Sequence, residues 1–290
     1  MDTTKYRAFL ETVSLGSLTR AAERLGYSQP GISHMIHSLE REYGFALLRR
    51  DREGVQPTEN ARLLLPYLRQ IVQAERGIEQ TAQRISGVET GSVRIGAFYS
   101  VSVRWLPEMI RDFSDKYPGI AIQLSEGNWG EVREWLVQGE IDLGFLSAPA
   151  PEGFDFFALE EDPVMAVLPN GHPLCRLEEV PAEALLAEPF LIPREGSDEE
   201  VWRVLEAEGL GEPNIQYRIK GDETILYMVA AGLGVTMMPR LLAENTRADI
   251  QIRPLKRKHC RTLGVAVRKE KYLAPAVQRF LEEAMRQKCG

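Results

Sequence analysis

Apolar and polar positions between residues 17 and 57 follow the spacing of two short helices around a tight turn. The first predicted helix buries Leu18, Ala21, Ala22 and Leu25. Gly26 ends that helix, since glycine readily takes the left-handed conformation that stops a helix. Ser28 can cap the second helix, and Pro30 is tolerated in a first turn, where its missing N–H would have had no partner.

The second helix has two distinct faces when its residues are placed at about 100° each. The apolar stripe consists of Ile32, Met35, Ile36, Leu39 and Tyr43. The opposite, polar face consists of Gln29, Ser33, His34, His37, Ser38 and Arg41. The Gln29 amide can pair bidentately with an adenine edge, and the Ser33 hydroxyl can contact a base or a phosphate. This pattern predicts a helix that reads duplex DNA; an ordinary helical pair with a solvated face is the alternative.

A short wing is predicted after the second helix, between the apolar segments 45–48 and 54–57. Its arginines would lie against backbone phosphates. The predicted DNA contacts are therefore Ser28, Gln29, Pro30, Ser33, His34, His37, Arg49, Arg50 and Arg52.

This segment resembles the winged helix-turn-helix of LysR-type transcriptional regulators. The resemblance is carried by Ala21, Ala22, Leu25, Ser28, Gln29, Pro30, Ser33, Ile36, Leu39, Glu40, Gly44, Leu47, Leu48, Arg50 and Thr58. Leu48 stands where the family usually has Phe, which should matter little for packing. His34 and His37 stand where Arg, Lys or Gln is frequent, so we expect the contact chemistry and the target sequence to differ from the usual ones. In length and layout the resemblance covers nearly the whole chain. It implies a regulator that binds double-stranded DNA as a homodimer or homotetramer, with RNA polymerase as a candidate further partner and no cofactor.

Residues 58 to about 86 form one long predicted helix, which Thr58 can cap. Apolar positions within it alternate by three and four, as in the seam of a coiled coil. The predicted seam is Ala61, Leu64, Leu68, Ile71, Glu75, Ile78, Ala82 and Ile85. Pro66 should bend the helix, and Glu75 places a charge on the seam. The seam predicts a partner helix; packing against the chain's own domain is the alternative.

Beyond a linker at 89–91 the pattern alternates between strands and helices. The first series comprises strands at 93–98, 120–126 and 141–146 and helices at 102–117 and 129–139. The second comprises strands at 164–168, 190–192, 215–219, 235–238 and 250–254, helices at 198–208 and 223–231, a strand at 263–267 and a closing helix at 273–286. Such alternation predicts an α/β fold with a mostly parallel sheet covered by helices, in two lobes.

The predicted domains are a winged helix-turn-helix at 1–58, a linker and dimerisation helix with a hinge at 59–90, and an effector-binding domain at 91–290. The resemblance implies that the last is a two-lobed, periplasmic-binding-protein-like domain. Lobe 1 would comprise 91–161 and 267–290, and lobe 2 would comprise 162–266. The chain would cross between them near Glu161-Asp162 and Ala266-Val267.

Ligands of open α/β sheets bind beyond the carboxyl ends of the strands, where helix N-termini offer free N–H groups. The candidate effector contacts there are Ser100, Ser102, Asn128, Ser147, Arg194, Ser197, Glu223 and Thr224. Each could instead serve only as a helix cap. Arg194 with the serines favours a small organic anion, whereas Glu223 with Tyr99 and Trp129 would suit a cationic or aromatic molecule.

Composition limits the remaining possibilities. The net charge is −7, but residues 1–60 hold eight basic and eight acidic residues, so DNA binding would rely on locally arranged arginines. The cysteines Cys175, Cys260 and Cys289 are widely spaced, which predicts neither disulfides nor a zinc site. With no membrane-length apolar run and no signal-peptide core, the sequence predicts a cytoplasmic protein with no membrane partner.

Catalytic and metal-site patterns are not found in the sequence. There is no Gly-x-Ser-x-Gly elbow and no phosphate loop, and His34 and His37 have no third ligand at a suitable spacing. Residues 231–234 resemble a dinucleotide fingerprint but follow a helix, so a helix stop accounts for them. We therefore expect no enzyme and no metal; a cytoplasmic small-molecule-binding protein without a DNA role is the alternative to a regulator.

Overall fold

The computed structural model describes residues 3–51, 54–85, 90–194, 198–244, 246–269 and 273–289. The chain divides into two units: residues 1–91 with the short segments 137–140 and 271–278, and the remainder of the chain. None of the helices in these described ranges is long and apolar enough to cross a membrane.

The first unit consists of helices around a small core, followed by a hairpin and a long helix. Its elements are α1 (Thr4–Leu15), α2 (Leu18–Leu25), α3 (Gln29–Tyr43), β1 (Leu48–Asp51), β2 (Gly54–Pro57) and α4 (Glu59–Ile85). Sequence analysis identified all of these except α1. Phe9 of α1 is fully buried with Ile32, Leu39 and Leu47, so α1 completes the core on which α2 and α3 pack.

Residues 91–289 form the α/β part of the chain. The strands are β3 (Gly91–Ala97), β4 (Ile120–Glu126), β5 (Leu143–Ser147), β6 (Phe154–Pro169), β7 (Phe190–Pro193), β8 (Ile215–Ile219), β9 (Thr236–Pro239), β10 (Ile250–Pro254) and β11 (Cys260–Arg268). The α-helices are α5 (Tyr99–Arg104), α6 (Leu106–Lys116), α7 (Trp129–Gln138), α8 (Ala182–Leu186), α9 (Glu199–Glu208), α10 (Asp222–Ala230), α11 (Arg240–Ala243) and α12 (Pro275–Cys289), with a 3-10 turn at Pro173–Arg176. The predicted helix at 102–117 is two helices, because Pro107 opens a new first turn in α6.

The prediction of a mostly parallel sheet is wrong. The main sheet has the order β10-β6-β11-β5-β3-β4, with β9 also on β6. β6 pairs antiparallel with β9, β10 and β11, and β11 pairs antiparallel with β5, whereas β3 and β5 are parallel. Alternation of strands and helices along the chain does not report strand direction once a long strand such as β6 runs through both lobes.

The pairing of β6 changes near the first predicted crossing. β6 pairs with β11 up to Pro163 and with β9 from Val164 onward. The second predicted crossing, at Ala266-Val267, falls within β11, where Leu263–Val267 pairs with β5. The lobe boundaries stay predictions.

The glycines after α10 have structural roles. Gly232 has φ +76° and follows the end of α10, as in an ordinary helix stop. A Cβ on Gly234 would lie 2.2 Å from the carbonyl oxygen of Pro189, so only glycine fits there.

Candidate functional site

The turn between α2 and α3 is fixed by two serine caps and a glycine. The Arg20 N–H donates to Ser17 Oγ (3.3 Å), and the Gly31 N–H donates to Ser28 Oγ (3.2 Å). Gly26 ends α2 at φ 72°, in the left-handed region. These local contacts set the direction of α3 relative to α2.

Helix α3 has a buried face and an exposed face. Ile32, Ile36 and Leu39 are buried in the core. On the other side, Ser28, Pro30, His34 and His37 are exposed, while Gln29 and Ser33 are half-buried. His37 Nδ1 lies 2.8 Å from the Ser33 carbonyl oxygen, so this ring nitrogen donates there and Nε2 faces away from the helix backbone.

The wing is a short antiparallel hairpin held against α3. Arg49 on β1 is opposite Gln56 on β2, and its side chain is exposed. The Glu40 carboxylate of α3 accepts hydrogen bonds from the N–H groups of Leu47 (2.8 Å) and Leu48 (3.4 Å), which connects α3 to the hairpin. The side chain of Arg50 and the whole of Arg52 lie outside the described residues.

Helix α4 carries two apolar faces. Ala61, Leu65 and Leu68 are buried in the core of the first unit, and Leu64 packs against it. The opposite face leaves four large apolar side chains 65–81% exposed. They are Leu63, Tyr67, Ile78 and Ile85.

The predicted seam of α4 therefore combined two faces. Ala61 and Leu68 pack within their own unit, which is the alternative considered above, and Ile78 and Ile85 belong to the exposed face. Glu75, the unexpected charge on the seam, accepts a hydrogen bond from the Thr3 hydroxyl. A period of three and four fits either face, because both run along the same helix.

A cavity of about 370 Å³ lies at the carboxyl ends of the strands in the second unit. Its walls come from α5, α7, α9 and α10 and from the ends of β4, β5, β7 and β9. Among the predicted effector contacts, the lining includes Ser100, Asn128, Ser147, Arg194, Glu223 and Thr224.

Asn128 and Ser147 also make hydrogen bonds that stabilise the cavity wall. Asn128 and Glu131 form a reciprocal cap at the start of α7: the Glu131 N–H donates to Asn128 Oδ1 (2.9 Å), and the Asn128 N–H donates to Glu131 Oε2 (2.7 Å). The backbone oxygen of Ser147 accepts the indole N–H of Trp129 (3.3 Å). Trp129 is thereby held in the cavity wall.

Arg261 reaches the cavity from β11. Its guanidinium donates to Asp162 Oδ2 (2.8 and 3.0 Å) and to Ser100 Oγ (3.1 Å) and lies 4.9 Å from the centre of the Phe98 ring. Asp162 is fully buried and also accepts the Leu241 N–H at 2.9 Å.

Carboxylates surround much of the remaining wall. The Tyr99 hydroxyl donates to Glu223 Oε2 at 3.2 Å. Burial raises the pKa of Tyr99, and the negative charges of Glu223, Glu126 and Asp222 raise it further. Burial likewise raises the pKa of the Asp222 and Glu200 carboxyls, against the opposing pull of Arg261.

Comparison with known families assigns both parts of the chain. Residues 3–62 match the model of the bacterial regulatory helix-turn-helix proteins of the lysR family. Residues 86–288 match the LysR substrate binding domain. The chain belongs to the LysR family. This LysR-type protein is a DNA-binding transcriptional regulator with an effector-binding domain, and it is not an enzyme.

Individual relatives are similar to the regulator along most of its chain. It is 32% identical over 233 residues to the HTH-type transcriptional regulator CbbR of Sinorhizobium medicae, covering 77% of this chain and 72% of CbbR. A full-length OxyR variant from Pseudomonas aeruginosa has the same fold, with a TM-score of 0.80, 24% identity and coverage of 99% and 97%. CbnR in complex with its target DNA also shares the fold, with a TM-score of 0.66, 22% identity and 99% coverage of both chains.

Two predicted effector contacts of the LysR-type regulator are placed differently from the rest. Ser102 is buried and is not part of the cavity lining, and its hydroxyl has no hydrogen-bond partner among the described residues. Ser197 lies outside the described residues. Within the described part of the chain, no group of three His, Cys, Asp or Glu side chains is placed to hold a metal ion.

Sequence reasoning missed Arg261 and Glu200. Arg261 is a charged residue just before the apolar segment of β11 that begins at Leu263, and that is the one local signal that could have drawn attention to it. Glu200 is in the first turn of α9, where an acidic residue is ordinary. Both reach the cavity only because strands and helices distant in sequence converge there.

Proposed function

We propose that the regulator binds duplex DNA through the exposed face of α3, acts as a homodimer paired through α4, and changes its DNA binding when a small molecule occupies the cavity. The observation that carries the DNA part is the division of α3, with apolar residues buried on one side and hydrogen-bonding groups on the other. DNA is the ligand that the regulator binds, so we place the protein in the cytoplasm.

Residue roles follow from this surface. Gln29, Ser33, His34 and His37 would meet base edges in the major groove, with Ser28 and Pro30 shaping the start of the helix. Arg49 would contact a phosphate, and the predictions for Arg50 and Arg52 are the same. Because Nδ1 of His37 is bound to the Ser33 carbonyl, Nε2 is the ring nitrogen that would face the DNA.

Pairing through α4 is supported by its exposed apolar residues. Leu63, Tyr67, Ile78 and Ile85 would lie on one stripe of the helix, since their spacings bring them to the same side at about 100° per residue. A second copy of the chain presents the same stripe, so the two helices can cover each other symmetrically. The homotetramer and the contact with RNA polymerase remain predictions.

Selection from a randomised duplex library by the purified full chain tests this proposal. We expect an enriched motif with two inverted half-sites, because a twofold dimer presents two copies of α3. A matched variant, Gln29→Ala with Ser33→Ala, should retain its helical circular dichroism and lose the enrichment. A motif with one unpaired half-site would contradict the dimer, and a motif unchanged in the variant would contradict the recognition face.

A further inference from the structure

The cavity wall is acidic. Among the residues that the structure describes, its charged lining contains six carboxylates and three cationic side chains. The carboxylates are Glu126, Glu131, Glu199, Glu200, Asp222 and Glu223, and the cations are Arg194, Lys220 and Arg261. The excess of carboxylates bears on the charge of the effector, so the inference drawn from it rests on the proposed role of the cavity as the effector site.

Arg261, the buried cation, is already neutralised. Its side chain is 11% exposed and is paired at 2.8 Å with Asp162, which is completely inaccessible. An incoming carboxylate would have to compete with this pair. Arg194 and Lys220 are exposed, as are Glu126 and Glu223, so water and salt weaken the attraction that these four groups exert.

The helix N-termini at the cavity also disfavour an anion. A free helix N-terminus attracts negative charge through its unpaired N–H groups and its dipole. Here the first turn of α9 carries Glu199 and Glu200, and the first turn of α10 carries Asp222 and Glu223. These first-turn carboxylates place negative charge where an anion would otherwise be attracted, although Glu199 and Glu200 are paired with Arg203 at 3.6 and 3.1 Å.

Tyr99 gives the acidic region an aromatic surface. Its hydroxyl is bound to Glu223, and its surroundings include Glu126 and Asp222. An aromatic ring among carboxylates suits a cation, because the ring face and the carboxylates both attract positive charge. Apolar side chains complete the lining beside it: Phe98, Met238, Pro239 and Leu242.

We infer that the cavity binds a small organic cation, an amine or guanidine with an apolar body, whose charged group lies between Asp222, Glu223 and the ring of Tyr99. The apolar body packs against Phe98 and Leu242. A volume of about 370 Å³ holds a molecule of this kind. Binding of a cation also stabilises the charged form of Asp222, because burial raises the pKa of this carboxyl and a nearby positive charge offsets that effect. The small organic anion expected from Arg194 and the serines is the opposing outcome.

Calorimetric titration of the full chain with charge-matched probes tests the inference. The cations are benzylammonium and 1,4-butanediammonium, the anions are benzoate and succinate, and benzyl alcohol is the neutral probe, all at one ionic strength. We expect saturable binding of at least one cation and none of the anions at the same concentration. Binding of an anion in preference, or of no cation in this set, overturns the inference.

Substitutions at the cavity wall test where the cation binds. Asp222→Asn and Glu223→Gln should each lower the affinity for the bound cation by about tenfold, because each removes one charge from the cation site. Glu108→Gln is the matched control, since Glu108 is also a first-turn carboxylate, on α6, and does not line the cavity. Equal affinity in all three variants would place the cation elsewhere and overturn the inference.

A measurement without a ligand checks the sign of the electrostatic potential in the cavity. Trp129 lines the cavity, so its fluorescence, obtained by difference from Trp129→Phe, should be quenched more strongly by caesium than by iodide. Stronger quenching by iodide would overturn the inference. Titration of the same samples with duplex DNA separates the two proposals, because a chain that binds DNA but not the cations retains its proposed function without this effector class.

Discussion

Arg261 and Asp162 form a buried ion pair between β11 and β6, with Nη2 and Oδ2 2.8 Å apart. Asp162 also accepts the Leu241 N–H at the start of α11, and Arg261 also donates to Ser100 on α5. The pair therefore connects four elements at the cavity wall. Its position next to the point where β6 changes its pairing from β11 to β9 makes it a structural anchor for the site.

Removing one member of this pair should be costly. Asp162→Ala is expected to lower the free energy of unfolding by about 3–5 kcal/mol, because it leaves a guanidinium buried without its partner. Asp162→Ala combined with Arg261→Met should cost less than Asp162→Ala alone. Urea unfolding of the two variants measures this difference.

The exposed pair of Arg111 and Asp112 provides the control. These side chains are 65% and 42% exposed, so Asp112→Ala should change stability by no more than about 0.5 kcal/mol. A double variant less stable than Asp162→Ala alone would show that the buried pair contributes more than the burial of its charges costs.

Gln29→Ala should reduce base discrimination. Losing a bidentate amide contact is expected to cost about 1–3 kcal/mol at one base pair of the site. Titration of the selected duplex and of a version changed at single positions measures the specificity ratio. An unchanged ratio would show that Gln29 does not read a base.

Arg49→Ala is the contrasting variant on the wing. An exposed phosphate contact carries no sequence information, so binding should weaken by a similar factor on all duplexes, and the slope of log affinity against log salt should fall by about one. A sequence-dependent loss would instead assign Arg49 to base reading.

Leu63→Lys with Tyr67→Lys should give monomers in sedimentation velocity. Charges on the exposed stripe of α4 cannot be covered by the same stripe of a second copy. Arg62→Glu, which alters charge on an exposed position beside the stripe, is the control and should leave the dimer intact. A double-lysine variant that sediments like the wild-type dimer would show that the copies pair elsewhere.

Asp222→Asn should change the pH dependence of stability. Burial raises the pKa of Asp222 in the folded state above its ordinary 3.8, so folding is favoured while the carboxyl is protonated, and this contribution is lost as the pH rises through the raised value. Asparagine does not titrate. The variant should therefore exceed the wild type in stability near neutral pH, with the difference shrinking as the pH falls toward 3.8.

Urea unfolding across this range checks the prediction. Glu108→Gln, a carboxyl-to-amide substitution at an exposed first-turn position, is the control for the substitution itself. A difference in stability between Asp222→Asn and the wild type that grows as the pH falls would show that burial of Asp222 is not its cause.

Gly234→Ala should destabilise the fold by about 1–3 kcal/mol, as other overpacking substitutions do. Its Cβ would meet the Pro189 carbonyl oxygen at 2.2 Å, and the Pro189 backbone is held by its bond from Val235. Gly211→Ala is the control, because no atom lies within 4 Å of its added Cβ. Equal thermal midpoints for the two variants would show that the loop yields at little cost.

The helices of the DNA-binding region were predictable because their signals are local. Gly26, Ser28 and the apolar stripe from Ile32 to Tyr43 define a helix stop, a helix start and a buried face within one stretch of chain. The strands at 120–126, 215–219 and 250–254 were also found with their observed bounds. Helix α1 was missed, although it supplies Phe9 to the core, because its own apolar pattern is weak.

The sequence by itself determined that α3 has a polar face, that a long helix beginning near Thr58 carries apolar positions along its length and that the second unit alternates strands and helices. Tertiary structure decided which face of α4 stays exposed, how the strands of the main sheet are directed and which charges share the cavity. Arg261 and Asp162 are 99 residues apart in the chain. Periodicity reports which side of an element avoids water, since that depends on neighbours within a few residues, but the partner that covers it is chosen by the packing of distant segments.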